Sequence, residues 1–184
     1  MDECSSLYFS QMKRYLVILL MSCVVSCKQS TPSTKAVNSH KAVTKNAQVE
    51  VVNFEDLSSY LNRKDHTTYI VNFWATWCKP CIKELPYFEA ITTSYPKDEV
   101  QVILVSLDFR EQLETGLLPF IEKYRLQSKV LLLDDPAAND WIPKVNSNWS
   151  GAIPATLIYN QKKRQFYEQS FTSDSLDEAL KTFL

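Results

Sequence analysis

From Val49 onward apolar residues recur at regular spacing, and before it they do not. Val49 to Val52 read as a short strand, and Phe54, Leu57, Tyr60 and Leu61 are spaced for one helix face. Residues 69–74 are β-branched and aromatic apart from Asn72, which predicts a strand. Residues 78–94 read as a helix in which Ile82, Leu85, Phe88 and Ile91 share a face and Pro86 introduces a kink. Residues 100–107 form a near-continuous apolar run, the pattern of a strand buried on both faces. Residues 117–124 are helical, and 130–133 repeat the buried-strand pattern. Residues 155–159 and 164–169 flank Asn160, Gln161, Lys162 and Lys163, which signals a hairpin. Ser175 with Glu178 predicts a capping box for a last helix ending at Leu184. Between these elements, Trp141 and Trp149 flank a segment with Pro143 and little periodicity. It reads as an insertion whose indoles pack in the core or, alternatively, wall a substrate site. The order of elements is α/β, with a parallel first half, an antiparallel hairpin and no repeats.

The N-terminal stretch follows different rules. Lys13 and Arg14 precede a short apolar run from Tyr15 to Leu20, and small residues follow. That is the layout of a secretory signal peptide, expected to span residues 1–26. The run is well short of the roughly 20 residues a spanning helix needs. Val24, Val25, Ser26 and Cys27 resemble a bacterial lipoprotein lipobox. The resemblance implies cleavage before Cys27 and a lipid on that cysteine. Leu20, Met21, Ser22 and Cys23 are a weaker second match. Asp2 and Glu3 are acidic where signal peptides carry positive charge, so Met12 is the expected true start. Residues 27–48 are expected to form a lipid-anchored flexible tether. They hold Lys28, Lys35, Lys41 and Lys45, one proline and no aromatic residue, too little apolar surface to offset ordering entropy. The lysines serve solubility or attract anionic lipid.

Composition narrows the function. The chain has 184 residues, 45% hydrophobic and 22% charged, which is a globular balance of one-domain length. Its formal charge of −1 provides no basic field for nucleic acid. Without the N-terminal stretch and tether, 14 basic residues face 19 acidic ones, a mildly acidic body. Gly116 and Gly151 are the only glycines, which excludes phosphate-cradling glycine loops. His40 and His66 are the only histidines, which argues against a His-rich metal site. Five cysteines remain, and two of them form a motif.

Cys78, Lys79, Pro80 and Cys81 stand where the first long strand becomes a helix. A C-x-x-C in that context reads as a redox pair. The spacing brings two sulfurs into disulfide range, and the helix N-terminus favours a thiolate at Cys78. Cys78 would attack a substrate disulfide, and Cys81 would resolve the mixed disulfide. Pro80 stiffens the first turn and lacks an N–H that would go unused. The competing readings are a zinc half-site, which lacks further ligands, two incidental core cysteines, and a structural disulfide. A two-residue loop makes the last a weak staple.

The run from Asn72 to Cys81 resembles the thioredoxin superfamily. Its continuation through Ile82, Lys83, Glu84, Leu85 and Pro86 resembles the TlpA/ResA branch of extracytoplasmic thiol-disulfide oxidoreductases. The resemblance implies an α/β thioredoxin-like fold, a central mixed sheet flanked by helices, over residues 49–184. It also implies a protein-disulfide reductase working by dithiol exchange, with no cofactor or metal. Gly151, Ala152, Ile153, Pro154 and Ala155 match the cis-proline loop of such proteins. By that match, Pro154 would pack beside the cysteines and Ile153 would offer its backbone to substrate. Asn72 replaces the buried Asp of thioredoxin and cannot move a proton. Glu84 matches the carboxylate of the TlpA/ResA branch and would take the proton of Cys81 if burial raises its pKa. The alternative is a solvent-exposed Glu84 paired with Lys83. Trp77 would shield the pair and contact substrate, and Lys79 would help hold the thiolate.

The implied partners are disulfide-containing exported proteins, a membrane thiol-disulfide electron donor, and the membrane itself through the lipid. The implied location is the cell envelope, as a periplasm-facing lipoprotein. Two other classes compete. A peroxiredoxin-type peroxidase fits less well, because Thr76 lies two residues before Cys78 rather than three and the accompanying proline is missing. A non-catalytic metal- or thiol-binding module would keep the pair without turnover.

Overall fold

A computed structural model describes residues 49–184. The signal peptide through residue 26, the Met12 start, lipidation at Cys27 and the tether at 27–48 lie outside the described residues.

Six strands form one mixed sheet in the order β1-β4-β3-β2-β5-β6. They are β1 (Val49–Val52), β2 (Thr68–Trp74), β3 (Val100–Ser106), β4 (Lys129–Leu133), β5 (Ala155–Tyr159) and β6 (Arg164–Tyr167). The first four run parallel, and β5 and β6 are antiparallel to their neighbours, as the pattern predicts. This is the thioredoxin-like arrangement that the motif implies. Every residue of β2 is buried, because β3 and β5 flank it and helices cover both faces.

Period-two alternation divides β2 between two cores. Ile70 and Trp74 face a core shared with α2 (Lys79–Ser94), α3 (Leu118–Tyr124) and α5 (Ser173–Lys181). Val71 and Phe73 face a core shared with α1 (Phe54–Leu61) and α4 (Ala138–Val145). Asn72 has the same parity as Ile70 and Trp74, so its buried amide points toward α2 and needs a partner there.

Four local expectations are corrected. The buried stripe of α2 is Cys81, Glu84, Leu85, Phe88 and Ile91, with Ile82 only half-buried. The segment between Trp141 and Trp149 contains a helix, α4, whose Pro143 faces solvent while Trp141 and Val145 are buried one turn apart. Both indoles join the core: Trp149 packs on Phe73, Trp141 and Phe166 at ring distances of 4.8, 5.7 and 5.4 Å. The last helix is capped three residues earlier than predicted. Thr172 Oγ1 accepts from the Ser175 N–H and Ser175 Oγ from the Thr172 N–H, so the serine completes the box and Glu178 stays exposed. Finally, α3 is preceded by a short 3-10 turn (Arg110–Gln112) and a π turn (Leu113–Leu117), which the apolar spacing did not reveal.

Candidate active site

The site lies at the C-terminal end of β2. After Trp74 the chain turns, with the Cys78 N–H donating to the Ala75 carbonyl at 3.1 Å. Cys78 then caps α2 with extended backbone angles, and its Sγ accepts from the Cys81 N–H at 3.3 Å. Cys78 is therefore the cap rather than the first helical residue. Lys79 and Pro80 form the exposed start of the first turn. The turn brings the Cα atoms of Cys78 and Cys81 to 5.3 Å, and the two sulfurs are bonded as a disulfide. Both cysteines are buried, Cys81 fully and Cys78 with 5% of its surface exposed, so Cys78 is the nearer of the two to solvent. Once reduced, Cys78 sits over free helix N–H groups that stabilise a thiolate.

A second loop closes over the pair. The Ile153–Pro154 peptide is cis, Pro154 is buried, and the Ile153 carbonyl oxygen lies 3.8 Å from Cys78 Sγ. The turn into this loop uses Gly151 at φ 91°, where a Cβ would also press on Ile142 Cδ1 at 3.1 Å. Trp149 Nε1 donates to the Ala152 carbonyl at 2.8 Å, and Ser150 bonds Glu168 through both its N–H and its hydroxyl. The loop is thus held from the core side and by Glu168, the residue that follows β6.

Glu84 lies one turn after Cys81 on α2 and is 1% exposed, so the alternative of a surface pair with Lys83 is excluded. Its Oε2 accepts from the Phe171 N–H at 2.7 Å, and its Oε1 accepts from Asn72 Nδ2 at 3.0 Å. Asn72 also donates to Thr156 Oγ1, its cross-strand register partner on β5. Burial pushes the Glu84 pKa up to about 7, and the two donated hydrogen bonds only partly oppose this. A group poised near neutrality can both accept and return a proton.

Trp77, next to Cys78 in the chain, is 58% exposed. The residue that sequence reasoning missed is Asp108, buried two residues beyond the end of β3. Its carboxylate accepts from the Thr76 N–H at 3.1 Å, the Thr76 hydroxyl at 2.6 Å and the Ser106 hydroxyl at 2.7 Å. It ties the loop carrying Cys78 to the neighbouring strand. The signal was a Ser-x-Asp closing an otherwise apolar strand at its C-terminal end, where α/β proteins place their sites. Among the described residues, no group of three or more His, Cys, Asp or Glu is placed to hold a metal ion.

Residues 42–164 match the model of the AhpC/TSA family. The chain belongs to the AhpC/TSA family. Two relatives carry more specific names. Sporulation thiol-disulfide oxidoreductase A of Bacillus subtilis is 33% identical over 84 residues, 46% of this chain and 49% of that protein. Thiol-disulfide oxidoreductase ResA of Bacillus cereus is 30% identical over 92 residues, 50% of this chain and 47% of that protein. The chain thus spans about half the length of the curated relatives it matches. The crystal structure of a thioredoxin-related protein from Neisseria meningitidis aligns with a TM-score of 0.53 at 26% identity, covering 66% of this chain and 87% of that one. The family member described here therefore shares its fold with a thioredoxin-related protein and part of its sequence with thiol-disulfide oxidoreductases.

Proposed function

We propose that this protein is a thiol-disulfide oxidoreductase that reduces disulfides of exported proteins. The observation that carries the reading is the Cys78–Cys81 disulfide at a helix N-terminus, with Cys81 fully buried and Cys78 slightly exposed. In the proposed reaction the Cys78 thiolate attacks one substrate sulfur. A Cys78–substrate bond forms, the substrate S–S bond breaks, and the departing sulfur leaves as a thiolate that takes a proton from solvent. Cys81 then loses its proton to Glu84 and attacks Cys78 Sγ. The Cys78–Cys81 bond forms and the second substrate thiolate leaves. Two electrons pass from protein to substrate, and an external dithiol must return them. A membrane thiol-disulfide donor is the proposed source. Ile153, Pro154 and Trp77 would bind the substrate chain beside Cys78, with Lys79 and Pro80 tuning the first turn.

The geometry favours this over a peroxidase. The Thr76 hydroxyl donates to Asp108 rather than serving Cys78, and the nucleophile has a bonded partner three residues away. The signal peptide at 1–26, the Met12 start, the lipid on Cys27 and the tether at 27–48 complete the proposal, which places the domain in the cell envelope facing the periplasm. Among the described residues no helix is long and apolar enough to cross a membrane. The test is a trapping experiment on the full chain with an oxidised protein substrate. Cys81→Ser should accumulate a mixed disulfide through Cys78, and Cys78→Ser should accumulate none. Peroxide consumption without any mixed disulfide would reverse the assignment.

A further inference from the structure

Among the described residues, four large apolar side chains are exposed: Trp77, Phe109, Tyr124 and Leu184. Exposed rings are ordinary when scattered singly. Two of these are not scattered. Parallel pairing aligns Trp74 with Ser106, and the Leu107 N–H continues the ladder by donating to the Trp74 carbonyl at 2.8 Å. Just beyond, the Asp108 carboxylate holds the Thr76 N–H and hydroxyl. The next residue on each side is an exposed aromatic: Trp77 after Thr76, and Phe109 after Asp108. Phe109 is 66% exposed, yet its backbone is fixed, since its carbonyl accepts the Gln112 N–H at 2.9 Å and it caps the 3-10 turn. The fold therefore presents this ring on a pinned backbone, bonded through Asp108 to the loop that carries Cys78.

We propose that Phe109 is a specificity-determining residue that receives a large apolar side chain close to the substrate cysteine. The inference rests on the oxidoreductase reading and adds a substrate class. The substrate is an extended, locally unfolded polypeptide carrying an aromatic or aliphatic residue next to its disulfide. The occupant follows from the chemistry at the centre of the patch. Cys78 exchanges only with another sulfur, and that sulfur must reach Cys78 Sγ, which lies 3.8 Å from the Ile153 carbonyl and directly follows Trp77 in the chain. The chain that bears it then has an apolar surface to cross. A small disulfide without flanking residues does not extend that far.

The test uses the full chain, reduced and freed of reductant, in single-turnover reactions with two synthetic peptides. Each peptide holds one disulfide, and they differ only in carrying Phe or Ser beside one cysteine. Oxidised glutathione reports the intrinsic reactivity of Cys78, and each peptide rate is divided by the glutathione rate. The Phe peptide should react about tenfold faster than the Ser peptide, as partial burial of one ring allows. Phe109→Ser should bring the two rates to within about twofold, while Phe109→Leu keeps most of the preference. Leu184→Ser should keep the full preference. Leu184 is exposed near the opposite end of the sheet, where Asn160 bonds both Thr68 and the Phe183 carbonyl. A wild type indifferent to the flanking residue overturns the proposal, as does a preference that survives Phe109→Ser. If the reduced wild type reacts with none of the three disulfides, the oxidoreductase reading falls and takes the proposal with it.

Discussion

Glu84 bears the largest electrostatic cost at the site. Its carboxyl is buried with two hydrogen-bond donors, and its pKa stands at about 7 against an ordinary 4.5. The folded state therefore holds its proton more tightly than the unfolded chain. The associated stability is fully present below pH 4.5 and is lost as pH rises through 7, at most about 3 kcal/mol. Glu84→Gln removes that slope. In urea denaturation, the variant should gain stability relative to wild type between pH 5 and pH 8; parallel curves would refute the assignment. The same substitution should slow release of reduced substrate about tenfold above pH 7, where Glu84 is ionised, and have little effect below pH 6. Single-turnover rates across that range provide the check. Residue identity at this site was legible in the sequence, but burial was less so. Choosing Ile82 as part of the apolar face of α2 rotated that face by one residue. The true stripe runs through Cys81, Glu84, Leu85 and Phe88, and a glutamate within it reads as an interruption unless Asn72 is known to face it.

At the scale of elements, the site depends on how strand ends are tied together. The helix N-terminus supplies Cys78 with its environment, and Asp108 fixes the loop that delivers it. Asp108→Ala would strand the Thr76 N–H and two hydroxyls, a loss on the order of 2 kcal/mol in the unfolding free energy from chemical denaturation. A change below about 0.5 kcal/mol would mean that water replaces the carboxylate at no cost. The strands and the helices with strong apolar faces were legible because their spacing is regular. The element between Trp141 and Trp149 was not. Pro143 looks like a breaker, but a proline on the solvent side of a short helix removes one hydrogen bond that water can replace, while Trp141 and Val145 hold the helix to the sheet. The end cap was misplaced for a similar reason: a Ser at the third helical position closes the box as well as a Glu does.

At the scale of the molecule, the order of strands and helices sufficed to give the mixed sheet, with β2 central between a parallel and an antiparallel neighbour. What pattern alone does not give is which loops converge, because Ile153 reaches Cys78 from 75 residues away in sequence and Asp108 reaches Thr76 from 32. The proposed lipid on Cys27 has its own check. Cys27→Ser should move the protein from the membrane fraction to the soluble fraction of the producing cell, and unchanged membrane association would remove the anchor from the account. The central claim is that Cys78 and Cys81 form a reducing dithiol, and their reduction potential tests it most directly. The full chain is equilibrated against a thiol-disulfide buffer and its free thiols are trapped and counted. The account predicts reversible cycling at a potential near the thioredoxin value of about −270 mV. A potential near the roughly −120 mV of a strong oxidant such as DsbA, or a pair that never cycles, would contradict it.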